Sequence, residues 1–347
     1  MAPLLRRMDA EQVGYRLIDS GQHGDLTVAL RRELGLREPD LRLGGDRDVV
    51  SVPQAVAWSL RLSSRVSSRR RLLGEVFGGH GGVCVVHGDT PSTLLSAVLA
   101  KRGGLAVAHV EAGLRTFRWL HPFPEELVRV MVGRVSDVLF APGPEAAENL
   151  RSTGVKGRIV EQSANTGLES LRHAMKGAHA AASQARGSGP AVVTMHRVEN
   201  LHRRSRRQAL IDLVADLAAR MPLRWVMHGP TERALTTQTR TRLSAVGVEF
   251  VPLMAYGEFL SNLEAAPFVI SDGGSIQEEC ALLGVPLLIW RDRSDRSDGL
   301  GGNAVLSHYD EAAVKGFVSD PQRFRRAPQE LEFSPSAQIL AELDEWR

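Results

Sequence analysis

Cysteine is nearly absent: Cys84 and Cys280 are the only two, and both sit in apolar segments. That excludes a disulfide framework and any zinc-ligand spacing. Aromatic residues are sparse, at 5% with three tyrosines. No basic helix or aromatic platform accompanies the charge, which argues against a nucleic-acid partner. No apolar run approaches the roughly 20 residues of a membrane span, and the N-terminus has no signal-peptide core. Lysine is rare too. Of 43 basic residues, 4 are Lys and 39 Arg, spread along the chain, and the formal net charge is only +3. These features read as a soluble, cytoplasmic protein.

What is present is apolar and periodic. A chain of 347 residues, 43% of them hydrophobic, exceeds one ordinary core and suits two α/β domains. Met1–Met8 reads as helix and Val13–Asp19 as a strand. A helix near Leu26–Leu34 follows, then a helical region from Pro53 to Val76 interrupted by the Ser- and Arg-rich run Ser63–Arg71. Helices at Pro124–Val135 and Pro144–Ser152 alternate with strands at Asp137–Ala141 and Arg158–Gln162, and Asn165-Thr166-Gly167 caps a helix to about His179. Ala180–Pro190 has linker composition. A second series has strands at Ala191–Thr194, Leu223–Met227, Val248–Leu253, Phe268–Ser271 and Val285–Trp290. Its helices are Arg207–Arg220, Thr231–Val246, Tyr256–Ala265 and Ser275–Leu283, and Ser334–Trp346 is a last amphipathic helix. Strands alternating with helices twice over predict two doubly wound domains facing a cleft, at 1–179 and 191–333, with a linker at 180–190 and a helix at 334–347.

The stretch Val83–Arg129 organises the first domain. Two Val-rich runs, Val83–Val86 and Leu105–Val110, are short and unalternating, as strands buried on both faces are. Pro91–Arg102 between them fits a helix capped by Asp89 or Thr90. The crossover then brings Asp89, Glu111 and Glu125 toward one crevice at the C-terminal ends of parallel strands.

Grouped carboxylates suit proton transfer at an unactivated C–H next to a sugar's anomeric centre, because repulsion and burial push their pKa values apart. Each has a plainer alternative. Asp89 could simply cap its helix, and Glu125 could simply favour the helix dipole. Glu111, ending a buried strand beside Ala and Gly, is costly without a task. His196 ends the first strand of the second series. As a lone loop histidine it needs no role, but with Arg197 it could form a cationic pair that neutralises a leaving diphosphate. Asp272-Gly273-Gly274-Ser275 is a tight turn whose N–H groups could hold phosphate at a helix N-terminus. Glu279, one turn on, could accept from ribose hydroxyls. Arg203–Arg207 reads as a solvated loop.

The motifs His87-Gly88-Asp89-Thr90, His109-Val110-Glu111-Ala112-Gly113-Leu114-Arg115-Thr116, Pro124-Glu125-Glu126 and Ile276-Gln277-Glu278-Glu279 together resemble the non-hydrolysing UDP-N-acetylglucosamine 2-epimerases, from about Met1 to the C-terminus. The resemblance implies a glycosyltransferase-B-like (GT-B-like) fold of two Rossmann-like domains, with no NAD and no metal. It implies epimerisation at C2 of a UDP-N-acetylhexosamine, of the UDP-GlcNAc to UDP-ManNAc type, by anti elimination of UDP and re-addition. Asp89, Glu111 and Glu125 would move protons at C2, and His196 would assist departure of UDP. Gly273, Gly274 and Ser275 would hold the diphosphate and Glu279 the ribose. Arg115, His228 and Arg296 are further substrate-binding candidates, and a homodimer is expected.

This chain departs from the family in three places. The family opens with a strand and a Gly-Thr-Arg-Pro-Glu loop ahead of the helix that contains Met-Ala-Pro-Leu. That order implies an N-terminal domain lacking the usual first strand. It predicts either an upstream start or a rearrangement of Val13–Asp19 that closes the gap. The family's Asp-Ser-Gly-Gly is Asp272-Gly273-Gly274-Ser275 here, and its acidic-Arg-Pro-Glu loop is Asp295-Arg296-Ser297-Asp298. Two rival readings accommodate these changes. One is a UDP-sugar-dependent glycosyltransferase with a sugar or cyclitol acceptor, and the other is a non-catalytic nucleotide-sugar binder.

Overall fold

The computed structural model describes residues 1–21, 28, 31, 32, 34–44, 68–118, 124–175, 186–329 and 333–346. Much of the predicted helix at 26–34, residues 53–67 of the predicted helical region and residues 180–185 of the predicted linker lie outside them. The chain forms two compact units, Met1–Glu169 with Phe333–Arg347, and Ser170–Glu332.

In the first unit, β3 (Val83–His87), β4 (Ala106–Val110), β5 (Val138–Pro142) and β6 (Arg158–Gln162) form a parallel sheet in the order β3-β4-β5-β6. Each crossover carries a helix, as parallel pairing requires. Pro91–Gly103 follows β3, Glu125–Val135 follows β4 and Pro144–Ser152 follows β5. Val107, Ala108, Leu139 and Phe140 have no exposure, which explains the unalternating apolar runs. The helix Ala2–Ala10 packs on Pro335–Leu343, where Leu4, Met8, Ile339 and Leu340 join the core of Ala108, Val110 and Phe140. Arg7 donates to Ser334 and Ser336, whose hydroxyls donate to Glu169.

Of the predicted strand Val13–Asp19, only β1 (Ile18–Asp19) forms, paired in parallel with β2 (Leu41–Arg42). These two make their own sheet, and among the described residues β3 pairs with β4 alone. A cavity of about 1150 Å³ is lined by residues of both sheets and of the helix Ala2–Ala10, among them Leu4, Ile18, Val83 and Val85. At the described end of the Ser- and Arg-rich run, Ser68 accepts from Arg71 N and starts a turn that continues as a wide helical segment, Leu72–Val76.

The second unit is one six-stranded parallel sheet: β7 (Ala191–Thr194), β8 (Leu223–Val226), β9 (Val248–Val251), β10 (Val269–Ser271), β11 (Leu287–Ile289) and β12 (Ala304–Leu306). The order β12-β11-β10-β7-β8-β9 reverses between β7 and β10, the switch point where such sheets bind ligands. Trp225, Phe268 and Phe317 fill the core. The predicted single helix Thr231–Val246 is two, Gly229–Ala234 and Thr237–Ala245. Leu235 turns into the core, and Thr236 caps the second helix by accepting from Thr239 N. The run Arg203–Arg207 is not a loop. It opens the helix Arg204–Ala218, and Arg206 lies 4.0 Å over the Tyr309 ring. Strand β12 and the helix Glu311–Ser319 had no predicted counterpart.

Candidate active site

Strands β3 and β4 run parallel with His87 opposite Val110. The residues that follow, Asp89 and Glu111, therefore leave the same end of the sheet. Thr90, not Asp89, caps the helix Pro91–Gly103, accepting from Thr93 N at 3.4 Å. Asp89 instead accepts from Arg129 Nε at 2.8 Å and pairs with its second guanidinium nitrogen at 2.6 Å.

Glu126 is wholly buried, and it anchors the loop after Glu111. It accepts from Arg115 Nε at 2.7 Å and from the backbone N–H groups of Thr116 and Phe117, both at 3.1 Å. Arg115 is thus committed to an ion pair inside the unit. Arg129 also lies 3.8 Å from Glu126. Glu125 opens the helix Glu125–Val135, and four-residue spacing puts it on the same face as Arg129.

Glu111 follows β4 in a left-handed conformation, φ +65°, which is uncommon outside glycine and clusters at functional sites. Asn165 Nδ2 donates to its Oε1 at 2.7 Å, and His87 Nε2 stands 3.7 Å from its Oε2. Two residues on, Gly113 has φ +87°, and a Cβ there would meet the Ala146 carbonyl oxygen at 2.2 Å, so only glycine fits. His109 is buried, and burial lowers its pKa. Its Nε2 donates to the Gly88 carbonyl at 2.8 Å, which ties the turn before Asp89 to β4.

In the second unit, β7 and β10 are neighbours with Thr194 opposite Ser271. Asp272, buried just past β10, accepts from His196 N at 3.0 Å, Arg197 N at 3.1 Å and Asn200 Nδ2 at 2.9 Å. Arg197 Nε donates to the Asp272 carbonyl at 2.8 Å. A Cβ on Gly273 would lie 2.9 Å from His196 Cε1, so the turn passes against the imidazole. Burial lowers the pKa of His196 despite the opposing pull of Asp272. His228 is lowered to about 4, first by burial and then by His196, whose ring centroid is 5.3 Å away. His196 and Arg197 thus stand side by side at the turn, as the expected pair requires, with burial weakening the imidazole's hold on a proton and the guanidinium charged throughout.

The helix Gly274–Leu283 starts at the glycine turn, with Ser275 exposed on its first turn. Arg296 approaches this N-terminus, its Nε 3.1 Å from where a Gly274 Cβ would be, and it is ion-paired with Glu278. The loop that departs from the family's pattern is well held. Gln277 Nε2 donates to the carbonyls of Arg296 and Asp298 at 3.1 and 2.8 Å, and Asp295 pairs with Arg291 at 2.7 Å. Glu279 is buried and accepts from Tyr256 Oη at 2.9 Å. Its Oε2 is buried without a hydrogen-bond partner among the described residues, and burial raises its carboxyl to about 7.

Reading the residues alone assigned no site role to His87, Glu126, Asn165, Asp272 or Gln277, which stood there only as members of motifs, a cap or a turn, nor to Arg129 and Tyr256. Arg129 did leave a local signal, its spacing of four from Glu125. Among the described residues, no three His, Cys, Asp or Glu side chains group as a metal would require, and no helix is long and apolar enough to cross a membrane.

Two parallel α/β units, with sites at their strand ends, define a protein of the GT-B-like class. Residues 6–332 match the family described as UDP-N-acetylglucosamine 2-epimerase, and the chain belongs to it. A UDP-N-acetylglucosamine 2-epimerase of Bacillus subtilis is 29% identical over 263 residues, covering 71% of this chain and 67% of that protein. A UDP-2,3-diacetamido-2,3-dideoxy-D-glucuronate 2-epimerase of Pseudomonas aeruginosa is 30% identical over 215 residues, covering 61% and 59%. The solved UDP-GlcNAc 2-epimerase of Methanocaldococcus jannaschii, in complex with UDP-GlcNAc and UDP, superposes with a TM-score of 0.82 at 24% identity, covering 99% of this chain and 95% of that one.

Proposed function

We propose that the chain epimerises a UDP-N-acetylhexosamine at C2 by eliminating UDP and adding it back. The second unit would hold the nucleotide. Arg197 and Arg296 at the Gly273–Ser275 turn suit a diphosphate, and Glu279, with a buried oxygen that has no hydrogen-bond partner among the described residues, suits the ribose. His196, against the turn, would donate a hydrogen bond to the departing UDP. In the first unit, Asp89, Glu111 and Glu125 would exchange the C2 proton.

The observation that carries this reading is the contrast between two carboxylates at neighbouring strand ends. Asp89 pairs with the Arg129 guanidinium, whereas Glu111 accepts from the Asn165 amide and has His87 3.7 Å from its other oxygen. Carboxylates in different environments can take different proton-transfer roles. The relatives' names favour epimerisation over the glycosyltransferase and binder readings. The Pseudomonas relative acts on a diacetamido uronate sugar, so the N-acetyl group at C2 is the substrate feature we assign and the remaining substituents are left open.

The reading includes a cytoplasmic homodimer. Leu127 and Met131, one turn apart on one helix, and Val98 on a neighbouring helix are exposed, and a second copy would cover them.

Incubation with UDP-GlcNAc in D2O, followed by NMR, tests the reaction. Deuterium at C2 together with the C2 epimer is expected. Release of UDP only with an added acceptor, C2 staying protonated, overturns the proposal in favour of glycosyl transfer.

A further inference from the structure

We infer that Asn165 is the positioning residue of Glu111, its side-chain amide aiming the Glu111 carboxylate and favouring its ionised form. This rests on the proton-transfer role proposed above for Glu111.

Asn165 lies 54 residues from Glu111, just past the C-terminal end of β6, two strands over from β4, and ahead of the helix Gly167–Met175. It is 6% exposed. Its two side-chain atoms do different things. Oδ1 accepts from Gly167 N and Thr166 Oγ1, both at 3.4 Å, in the manner of a helix cap. Nδ2 donates to Glu111 Oε1 at 2.7 Å, shorter than is usual for a neutral amide and in the range of charge-assisted bonds. The Glu111 backbone is held in the left-handed region, so its side chain leaves the strand end on an unusual path. A bond to one oxygen then fixes the plane of the carboxylate and turns Oε2 toward His87. Donation to the charged form stabilises it.

Among the described residues, the titratable and charged groups near Glu111 include His87, the buried His109, Asp89 in its pair with Arg129, and the α-amino group of Met1.

The cap and the grip can be separated by one atom. Asn165→Asp has the same shape and keeps an oxygen for the cap, but it replaces the donor facing Glu111 with a repelling oxygen. The expected result is a kcat for C2 deuterium exchange at least about 10-fold lower, KM within about threefold, and the acid limb of the kcat–pH profile raised by about one pH unit or more. Asn165→Ala, which adds no charge, should lower kcat with a smaller move of the acid limb. It also carries the test if the Asp variant does not fold. A 13C NMR titration of the Glu111 carboxyl, assigned by its loss in Glu111→Gln, should show an upward move in Asn165→Asp independently of turnover.

Wild-type rates and profiles in both variants, with the Glu111 titration unmoved, would overturn the inference and leave Asn165 as a helix cap. Absence of exchange in the wild type would instead remove the epimerase reading, while the carboxyl titration would still decide whether Asn165 governs Glu111.

Discussion

Asp272 holds His196 by its backbone and not by its ring. Oδ1 accepts from the His196 N–H at 3.0 Å, whereas the nearest imidazole nitrogen is 3.5 Å away. The carboxylate thereby shapes the loop that presents the imidazole to the glycine turn. Removing the carboxylate takes the acceptor from three donors, the half-buried N–H groups of His196 and Arg197 and the buried side-chain amide of Asn200. Asp272→Ala should destabilise the second unit by about 1–3 kcal/mol, the cost of leaving the buried Asn200 donor unpaired. Urea denaturation followed by tryptophan fluorescence measures this. A midpoint within error of wild type would show that the loop is held by other contacts.

Glu279 makes stability depend on pH in the direction opposite to most carboxylates. Its pKa rises on folding from 4.5 to about 7. Between those values the folded chain keeps a proton that the unfolded chain has lost, so stability is full below about 4.5 and falls as pH rises toward 7. The loss is about 3 kcal/mol, at 1.36 kcal/mol per pH unit. Glu279→Gln, neutral at every pH, should flatten this part of the curve in chain free of UDP. Parallel curves for the two proteins between pH 5 and 8 would rule the effect out.

Glu126 joins the loop after Glu111 to the helix that bears Arg129. Glu126→Ala leaves the largely covered Arg115 guanidinium without its carboxylate, and breaking such a pair costs about 3 kcal/mol. Arg129→Met, by contrast, should leave UDP affinity near wild type while lowering C2 exchange at least about 10-fold, because Asp89 loses its orienting partner. Calorimetry with UDP and the NMR exchange assay separate the two effects. Equal losses in both would place Arg129 in general stability.

Gly113→Ala should be severe for so small a change. The left-handed backbone there disfavours any side chain, at about 1–3 kcal/mol, and the new Cβ would meet the Ala146 carbonyl. A drop in melting temperature accompanied by loss of exchange is expected. Unchanged melting would mean that the loop relaxes without consequence.

Much of this protein was legible in its residues alone. Short Val-rich runs ending in polar residues marked β3, β4 and β7, because strands covered on both faces have no reason to alternate. Prolines and glycines at the helix ends marked Pro144–Ser152 and Gly274–Leu283. The acids at strand ends, and the resemblance they carried, pointed to the family before any coordinates.

What only the tertiary structure decided is which of two adjacent candidates does which job. Thr90 caps and Asp89 does not. Glu126 is the buried anchor beside Glu125. Leu235 breaks a run that reads as one helix, because it turns into the core. The order β12-β11-β10-β7-β8-β9 places Asp272 beside His196, 76 residues apart. Local pattern reports periodicity and propensity within a few residues. These choices were made by partners 40, 54 and 76 positions away, and only the packed sheets bring those partners within hydrogen-bonding distance.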